Sequence, residues 1–425
     1  AAGLFRSASG PAPGAHPVRA GPAGRGGRPG GVPRPGQFDE AVFDAGVTKL
    51  ADAARRKADA NNTEQILRGV AETAANNANN KLEGSAAEFM DNPSLDRNTL
   101  SGAPVHPEFF ANNKGVFVAK DFKTLNMATI YAHTERLNQF MDQLGLGSIL
   151  PRPRKIAIGL RTDLIDFPKS NNAVYIGGLD TMAVFPYEAE GLPISMNGGI
   201  LAHEYFHAIF HNILLSDFLK GQDGSAHADF AAPEVSKKKC TAEESKDLTN
   251  KELNGLIVGA LNEGLADLWA WIYTGDTAFM ASSLRGQTSR KLDLPMRRLP
   301  TIQEIQNSYN ERIKKNCNKE HSYRTMRGVS YTWGSTVAQF FVNLLATDFK
   351  KVGPEHRKLL AQKIILAVKK LSKMLKAEEK SDKAISLNNF FQQYYLANHK
   401  ADAKTCEVLN KILAIEGEHK VNGCP

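Results

Sequence analysis

The pattern of apolar and polar positions changes character several times along the chain. Residues 1–37 show no periodicity: AAGLFRSASGPAPGAHPVRAGPAGRGGRPGGVPRPGQ is dominated by Gly, Pro and Arg. Such a stretch cannot bury enough apolar surface to form a core, and is expected to be a disordered leader or tail. Over 38–104, Phe43, Val47 and Leu50, then Ile66, Leu67 and Val70, recur at helical spacing between Asn-Asn pairs. This predicts two or three short helices, a helical appendage or the remnant of a propeptide. Alternation sets in at Gly115, where Gly-Val-Phe-Val-Ala-Lys-Asp-Phe reads as a strand. Thr124 then opens a helix through Met127, Ile130, Tyr131, Leu137, Phe140, Met141 and Leu144, which Gly145 stops. A second strand is expected at 155–160, and two more within 170–185, split by Gly177-Gly178.

A strongly apolar helix follows at 199–211, Gly-Ile-Leu-Ala-His-Glu-Tyr-Phe-His-Ala-Ile-Phe-His. Residues 216–250 are polar and aperiodic, and a loop of that length inside a domain is usually functional or mobile. Helical periodicity returns near Leu248, with further helices expected near 301–314, 333–349, 355–376, 386–397 and 402–415. The pattern predicts an α+β fold: a sheet-containing lobe over 105–215 with a mostly antiparallel sheet, the polar insertion, then a helical lobe over 251–425.

Composition alters this picture little. The 425 residues, 42% hydrophobic and 23% charged, are enough for two or three domains with sizeable cores. No apolar run approaches the roughly 18–20 residues that a membrane-spanning helix needs. The net charge of +8 would suggest nucleic acid, but five arginines (Arg6, Arg19, Arg25, Arg28, Arg34) with no Lys, Asp or Glu lie in residues 1–38. A nucleic-acid partner is therefore not expected. The Lys-rich run from Lys363 to Lys380 carries Ile364, Ile365, Val368, Leu371 and Leu375, and reads as an amphipathic helix with a solvated basic face.

The four cysteines (Cys240, Cys317, Cys406, Cys424) include no C-x-x-C pair, which argues against a zinc finger or a thioredoxin-like motif. Their even number fits two disulfides in an extracytoplasmic protein, one that is secreted or periplasmic. Proximity favours Cys406–Cys424, leaving Cys240–Cys317. Four unpaired thiols in a cytosolic protein remain the alternative.

Candidate chemistry concentrates in His203-Glu204-Tyr205-Phe206-His207, an instance of H-E-x-x-H. Residues four apart share a helix face, so His203 and His207 can hold one ion while Glu204 reaches its water. Imidazole nitrogens suit zinc, and a catalytic zinc takes three protein ligands and leaves one position open. His211 extends the series but a single helix cannot easily bring three turns to one ion, so His211 is expected either to be structural or to support a ligand from behind. The H-E-x-x-H-x-x-G-x-x-H spacing fails at Phe210 and Ile213. A better third ligand lies in Asn262-Glu263-Gly264-Leu265-Ala266-Asp267. Two carboxylates one turn apart on so apolar a helix are costly to bury without a cation, a metal or donors. That cost disappears if Glu263 binds the metal and Asp267 accepts the second N–H of a ligand histidine.

HEYFH followed by NEGLAD resembles the gluzincin zinc metallopeptidases, the thermolysin-like group in particular. The resemblance spans roughly residues 115–345. It implies Zn2+ held by His203, His207 and Glu263, with Glu204 as general base and Asp267 as orienter. It further implies a two-lobed fold with the site between a sheet-containing lobe and a helical one. Asn171-Asn172-Ala173-Val174-Tyr175 resembles the edge strand of that group, where Asn172 and Ala173 would bond the substrate backbone by strand addition.

Two departures stand out. Glu263 follows His207 by 56 residues, a longer gap than the group shows, and Ser330 stands where an oxyanion histidine would fall. The adjacent Tyr331, with Gly334 three residues on, resembles the tyrosine of gluzincin aminopeptidases, and a phenol can donate to an oxyanion. His321 is a possible substitute. No G-x-M-E-N element precedes HEYFH, which favours an endopeptidase acting on a peptide or protein substrate. A zinc aminopeptidase and a non-catalytic, zinc-stabilised binding protein on a peptidase fold are the alternatives. Structural Ca2+ is compatible with the resemblance but indicated by no motif here.

Overall fold

A computed structural model describes residues 84–96, 99–113, 117–162, 170–188, 191–215, 248–284, 290–294, 299–316, 322–348, 353–381, 383–388 and 390–391. Seven strands are β1 (Ala87–Asp96), β2 (Thr99–Pro104), β3 (Phe109–Ala111), β4 (Phe117–Ala119), β5 (Arg154–Ile158), β6 (Ala173–Ile176) and β7 (Thr181–Val184). Six helices are α1 (Phe122–Gln143), α2 (Gly198–Phe210), α3 (Asn250–Thr274), α4 (Ile302–Asn316), α5 (Ser322–Asp348) and α6 (Pro354–Ser381). The fold is mixed α+β, as the periodicity predicts. No helix among the described residues is long and apolar enough to cross a membrane.

The main sheet runs β2-β1-β5-β7-β6, with β3 and β4 forming a separate antiparallel pair. It is mixed rather than mostly antiparallel, which corrects the expectation. β1–β5 and β5–β7 pair parallel; β1–β2 and β6–β7 pair antiparallel. One of the two parallel pairings involves β1, which falls with β2 inside the segment expected to be a helical appendage; the other joins β5 and β7, both within expected strands. Ala87 and Phe89 are buried, Glu88 and Met90 half-buried, as a strand requires. The alternation is then broken at Asn92-Pro93, where Asn92 takes a φ of 43° and the register with β2 slips between Asp91 and Ser94. Beyond the slip Leu95 is buried again. A bulge of this kind resets the phase of a strand and hides it from a period-two search.

The remaining elements follow the expected order. α1 starts two residues before Thr124, its N-terminus capped by Asp121, whose carboxylate accepts from Thr124 N at 2.7 Å. The strand-like runs at 170–185 are β6 and β7, separated by a tight turn at Gly177–Leu179. α6 matches the amphipathic reading of the Lys-rich run: Ile364, Ile365, Val368, Leu371 and Leu375 are all buried, while Lys369, Lys370, Lys373 and Lys376 are exposed.

α5 departs from expectation: it begins at Ser322, so Gly328 to Gly334 lies inside a helix rather than ahead of one. The glycines there suggest a linker but serve close packing. A Cβ on Gly334 would lie 2.8 Å from Glu263 Cβ, and one on Gly264 would lie 2.5 Å from Gly334 O. These paired glycines let α3 and α5 approach backbone to backbone. The helices expected at 386–397 and 402–415 lie wholly or largely outside the described residues, as do the four cysteines and the 216–247 insertion.

Three helices meet at Trp269. Its ring on α3 lies 5.7 Å from that of Phe140 on α1 and 5.4 Å from that of Phe206 on α2. Trp269 and Phe206 are fully buried, and each such side chain contributes about 2–3 kcal/mol of apolar burial. This junction sets the position of α2 against α3.

Candidate metal centre

α2 is a helix with no solvent face: every residue from Gly199 to Phe210 is buried. Burial all round identifies a central helix, so any polar side chain on it must find its partners inside the protein. Its N-terminus is closed by Asn197, whose side-chain oxygen accepts from Gly199 N at 3.0 Å and Ile200 N at 3.1 Å. Past Phe210 the chain widens into a π-helical turn over His211–Leu215.

The polar residues of α2 converge. His203, Glu204 and His207 bring one candidate ligand atom each to within 4.8 Å of one another, and this buried group could hold a metal ion. α3 supplies their surroundings. It begins with a full capping box, Thr249 accepting from Glu252 N and Glu252 from Thr249 N, and it packs against α2 so as to present Asn262, Glu263 and Asp267. His207 Nδ1 lies 2.9 Å from Asn262 Oδ1. His203 Nδ1 lies 2.9 Å from Asp267 Oδ1.

An amide oxygen accepts and cannot donate, so His207 carries its proton on Nδ1 and turns a lone pair outward from Nε2. His203 Nδ1 is buried without an aligned hydrogen-bond partner among the described residues, although the Asp267 carboxylate lies beside it. The two Nε2 atoms are 3.0 Å apart. Facing lone pairs at that distance repel unless a cation or a proton lies between them. Glu263 closes the arrangement, its Oε2 3.6 Å from His203 Nε2 and its Oε1 3.9 Å from His207 Nε2. Ligands at about 2.0–2.1 Å on a tetrahedral ion are about 3.4 Å from one another, so the 3.0 Å between the imidazoles and the 3.6 Å from His203 to Glu263 Oε2 suit one small ion, with the other carboxylate oxygen nearer His207. Glu263 Oε2 is also buried with no hydrogen-bond donor among the described residues, as a metal-ligating oxygen would be. The residues fit the metal that their types suggest.

Electrostatics agree. Burial, the neighbouring His207 and Arg290 hold His203 well below the ordinary imidazole pKa, which keeps it neutral and ligating. Burial raises the Asp267 pKa, while the Arg290 charge and hydrogen bonds pull it down. Burial alone would lower the pKa of Arg290, but Asp267 and Glu263 outweigh it and raise the pKa instead. Arg290 donates from Nη2 to Asp267 Oδ1 at 2.5 Å and from Nε to Asp267 Oδ2 at 3.1 Å. Its Nη2 is also 3.5 Å from Glu263 Oε2. A bidentate guanidinium thus compensates a fully buried carboxylate that would otherwise be strongly unfavourable.

Arg290 and the role of Asn262 are absent from the sequence reading. Asn262 sits beside Glu263 but one residue gives no periodic signal, and Arg290 lies outside any helical pattern. The buried pair Glu263 and Asp267 was the only available hint, since it demands a cation somewhere.

The other expected residues are placed as follows. His211 stays out of the cluster: its ring packs edge-on to Tyr175 at 5.8 Å and covers Gly177, the structural one of the two roles expected. Ala173 opens β6, an edge strand of the sheet, and Asn172 just before it is buried with its carbonyl accepting from Phe185 N at 2.9 Å. Tyr331 lies on α5 with Arg290 Cζ 5.4 Å from its ring centroid, which ties it to the guanidinium that holds Glu263 and Asp267. His321 lies outside the described residues. No protein-family model and no curated protein matches the chain.

Proposed function

We propose that the protein is a zinc-dependent peptidase of thermolysin-like gluzincin type, divergent in its oxyanion partner, with sheet and helical halves acting as two lobes about the site. The observation that carries this reading is the pair of Nε2 atoms 3.0 Å apart, with oxygens of Asp267 and Asn262 2.9 Å from the two Nδ1 atoms and a third candidate ligand, Glu263, on the neighbouring helix. A structural zinc site would tend to close its fourth position with Cys or His, whereas the carboxylate of Glu204 stands beside this one.

When bound, Zn2+ would polarise the scissile carbonyl and bring the pKa of its water down towards ~7. The chain's own residues do the rest. Glu204, buried beside the two imidazoles, takes the proton from the attacking water and returns it to the leaving amine. Asp267 and Asn262 hold the two imidazoles in the ligating tautomer. Tyr331 donates to the developing oxyanion, and Asn172 and Ala173 at the sheet edge bind the substrate main chain as an added strand. The substrate is a peptide or protein cleaved internally, and the protein is secreted or otherwise extracytoplasmic.

Glu204→Gln keeps the shape of the side chain and removes the base. It should leave zinc content unchanged and lower hydrolysis of a peptide library by at least about 10²–10⁴-fold, the usual range for a lost general base. A fully active Glu204→Gln protein would remove this mechanism.

A further inference from the structure

The loop that follows α3 reaches back over the N-terminal half of α2. Gly275 ends α3 with a φ of 73°, and the chain then passes Phe279, which is 3% exposed. The Asn197 side chain that caps α2 also grips this loop: its Nδ2 donates to Phe279 O at 2.8 Å and to Ser283 Oγ at 2.9 Å. One buried amide therefore indexes the loop to the helix start.

The ring of Phe279 falls on the face that carries the first ligand. Gly199 and His203 are four apart, hence on one side of α2, and a helical side chain leans back over the preceding turn. The space over Gly199 is thus the space into which the His203 imidazole would tip. Phe279 fills it. A Cβ on Gly199 would lie 2.6 Å from Phe279 Cβ and 2.8 Å from its Cδ2, so only glycine admits the ring. Phe279 and His203 ring centroids are 6.5 Å apart with planes inclined by 30°. Beyond His203 stands the His207 ring, at 4.5 Å and nearly perpendicular.

We propose that Phe279 is a positioning residue for His203: seated over Gly199 and anchored through Asn197, its ring keeps the imidazole from tilting away from the metal and keeps water off that side. The Asp267 carboxylate lies 2.9 Å from His203 Nδ1, but Nδ1 has no aligned hydrogen-bond partner among the described residues, so that side alone leaves the tilt of the imidazole open. An apolar wall removes that freedom. The inference rests on the metal-binding reading and deepens it.

The test uses the full chain and two readouts other than hydrolysis: zinc affinity by competition with a chromophoric chelator, and the visible absorption of the Co2+-substituted protein. Phe279→Ala should weaken zinc binding by about 10–100-fold, the range seen when outer-shell support is lost, and should alter the cobalt bands. Phe279→Leu, chosen to fold where alanine does not, should give a smaller loss of the same kind. Phe391→Leu is the control: Phe391 is fully buried with its ring 4.6 Å from that of Phe340, so it should lower Tm without changing zinc affinity or cobalt spectrum. A Phe279→Leu protein that loses Tm yet binds zinc within twofold of wild type, with unchanged cobalt bands, overturns the assignment while leaving the metal site intact. A wild-type chain that binds no zinc overturns the metal-binding reading and this inference with it.

Discussion

α2 and α6 both carry several ionisable residues on an apolar framework, yet they place them in opposite ways. On α6 Lys369, Lys370, Lys373 and Lys376 are all exposed, while Ile364, Ile365, Val368, Leu371 and Leu375 face inward. On α2 the ionisable residues His203, Glu204 and His207 are buried together with everything around them. A charge in water needs no partner and says little about function. A buried one must be compensated, and the compensating groups name the site: Asn262, Glu263 and Asp267 from α3, then Arg290 behind them. The contrast teaches that the informative charges in this chain are those the fold has isolated from solvent.

The contrast can be broken most severely at Arg290. Replacing it with Met leaves Asp267, 0% exposed, without its cation, and stranding one member of a buried pair costs about 3–5 kcal/mol. Urea unfolding of the metal-free chain should show a loss of that size; a loss below about 1 kcal/mol would mean that Asp267 is not held as described.

A comparable test lies at His133, half-buried on α1 with its Nδ1 3.0 Å from Tyr273 Oη on α3. Burial, and then the nearby Arg136, lower its pKa from 6.5 to about 4. Because the folded value lies below the unfolded one, the unfolded chain takes up the proton first as pH falls. Stability is thus untouched above pH 6.5, declines between 6.5 and about 4, and has lost up to about 3 kcal/mol below that. His133→Gln should reduce the slope of stability against pH in this window, and an identical slope in the two proteins would exclude His133 as its source.

Smaller effects sharpen the same picture. Gly264→Ala places a methyl 2.5 Å from Gly334 O and should cost about 1–3 kcal/mol through overpacking of α3 on α5, read as a lower urea midpoint. The double substitution Lys369→Ala and Lys373→Ala should change stability by no more than about 0.5 kcal/mol and leave zinc binding unaltered. A large effect there would show that the basic face of α6 has a partner.

Much of the site was legible because its elements are local. His203, Glu204 and His207 are fixed by spacing on one helix, and Glu263 and Asp267 by a charge pair on an apolar one. α1 was legible from Thr124 and Gly145 for the same reason, although it starts two residues earlier, at Phe122, with Asp121 as its cap. What escaped was non-local. Arg290 reaches Asp267 across 23 residues and an irregular segment, so no period reveals it. β1 escaped because Asn92-Pro93 shifts its phase, and its pairing with β2 and β5 identifies it as a strand. The start of α5 escaped because glycines that serve helix packing look like linker residues when the opposing helix is unknown.

The central claim is that His203, His207 and Glu263 form one metal site, and zinc stoichiometry tests it most directly. The full chain, stripped with a chelator and returned to zinc, should bind one ion per chain. Glu204→Gln should bind one ion with similar affinity, and Glu263→Ala should bind it at least about 10-fold more weakly. A wild-type chain that takes up no zinc, or a Glu263→Ala chain that binds it as tightly as wild type, would contradict the account.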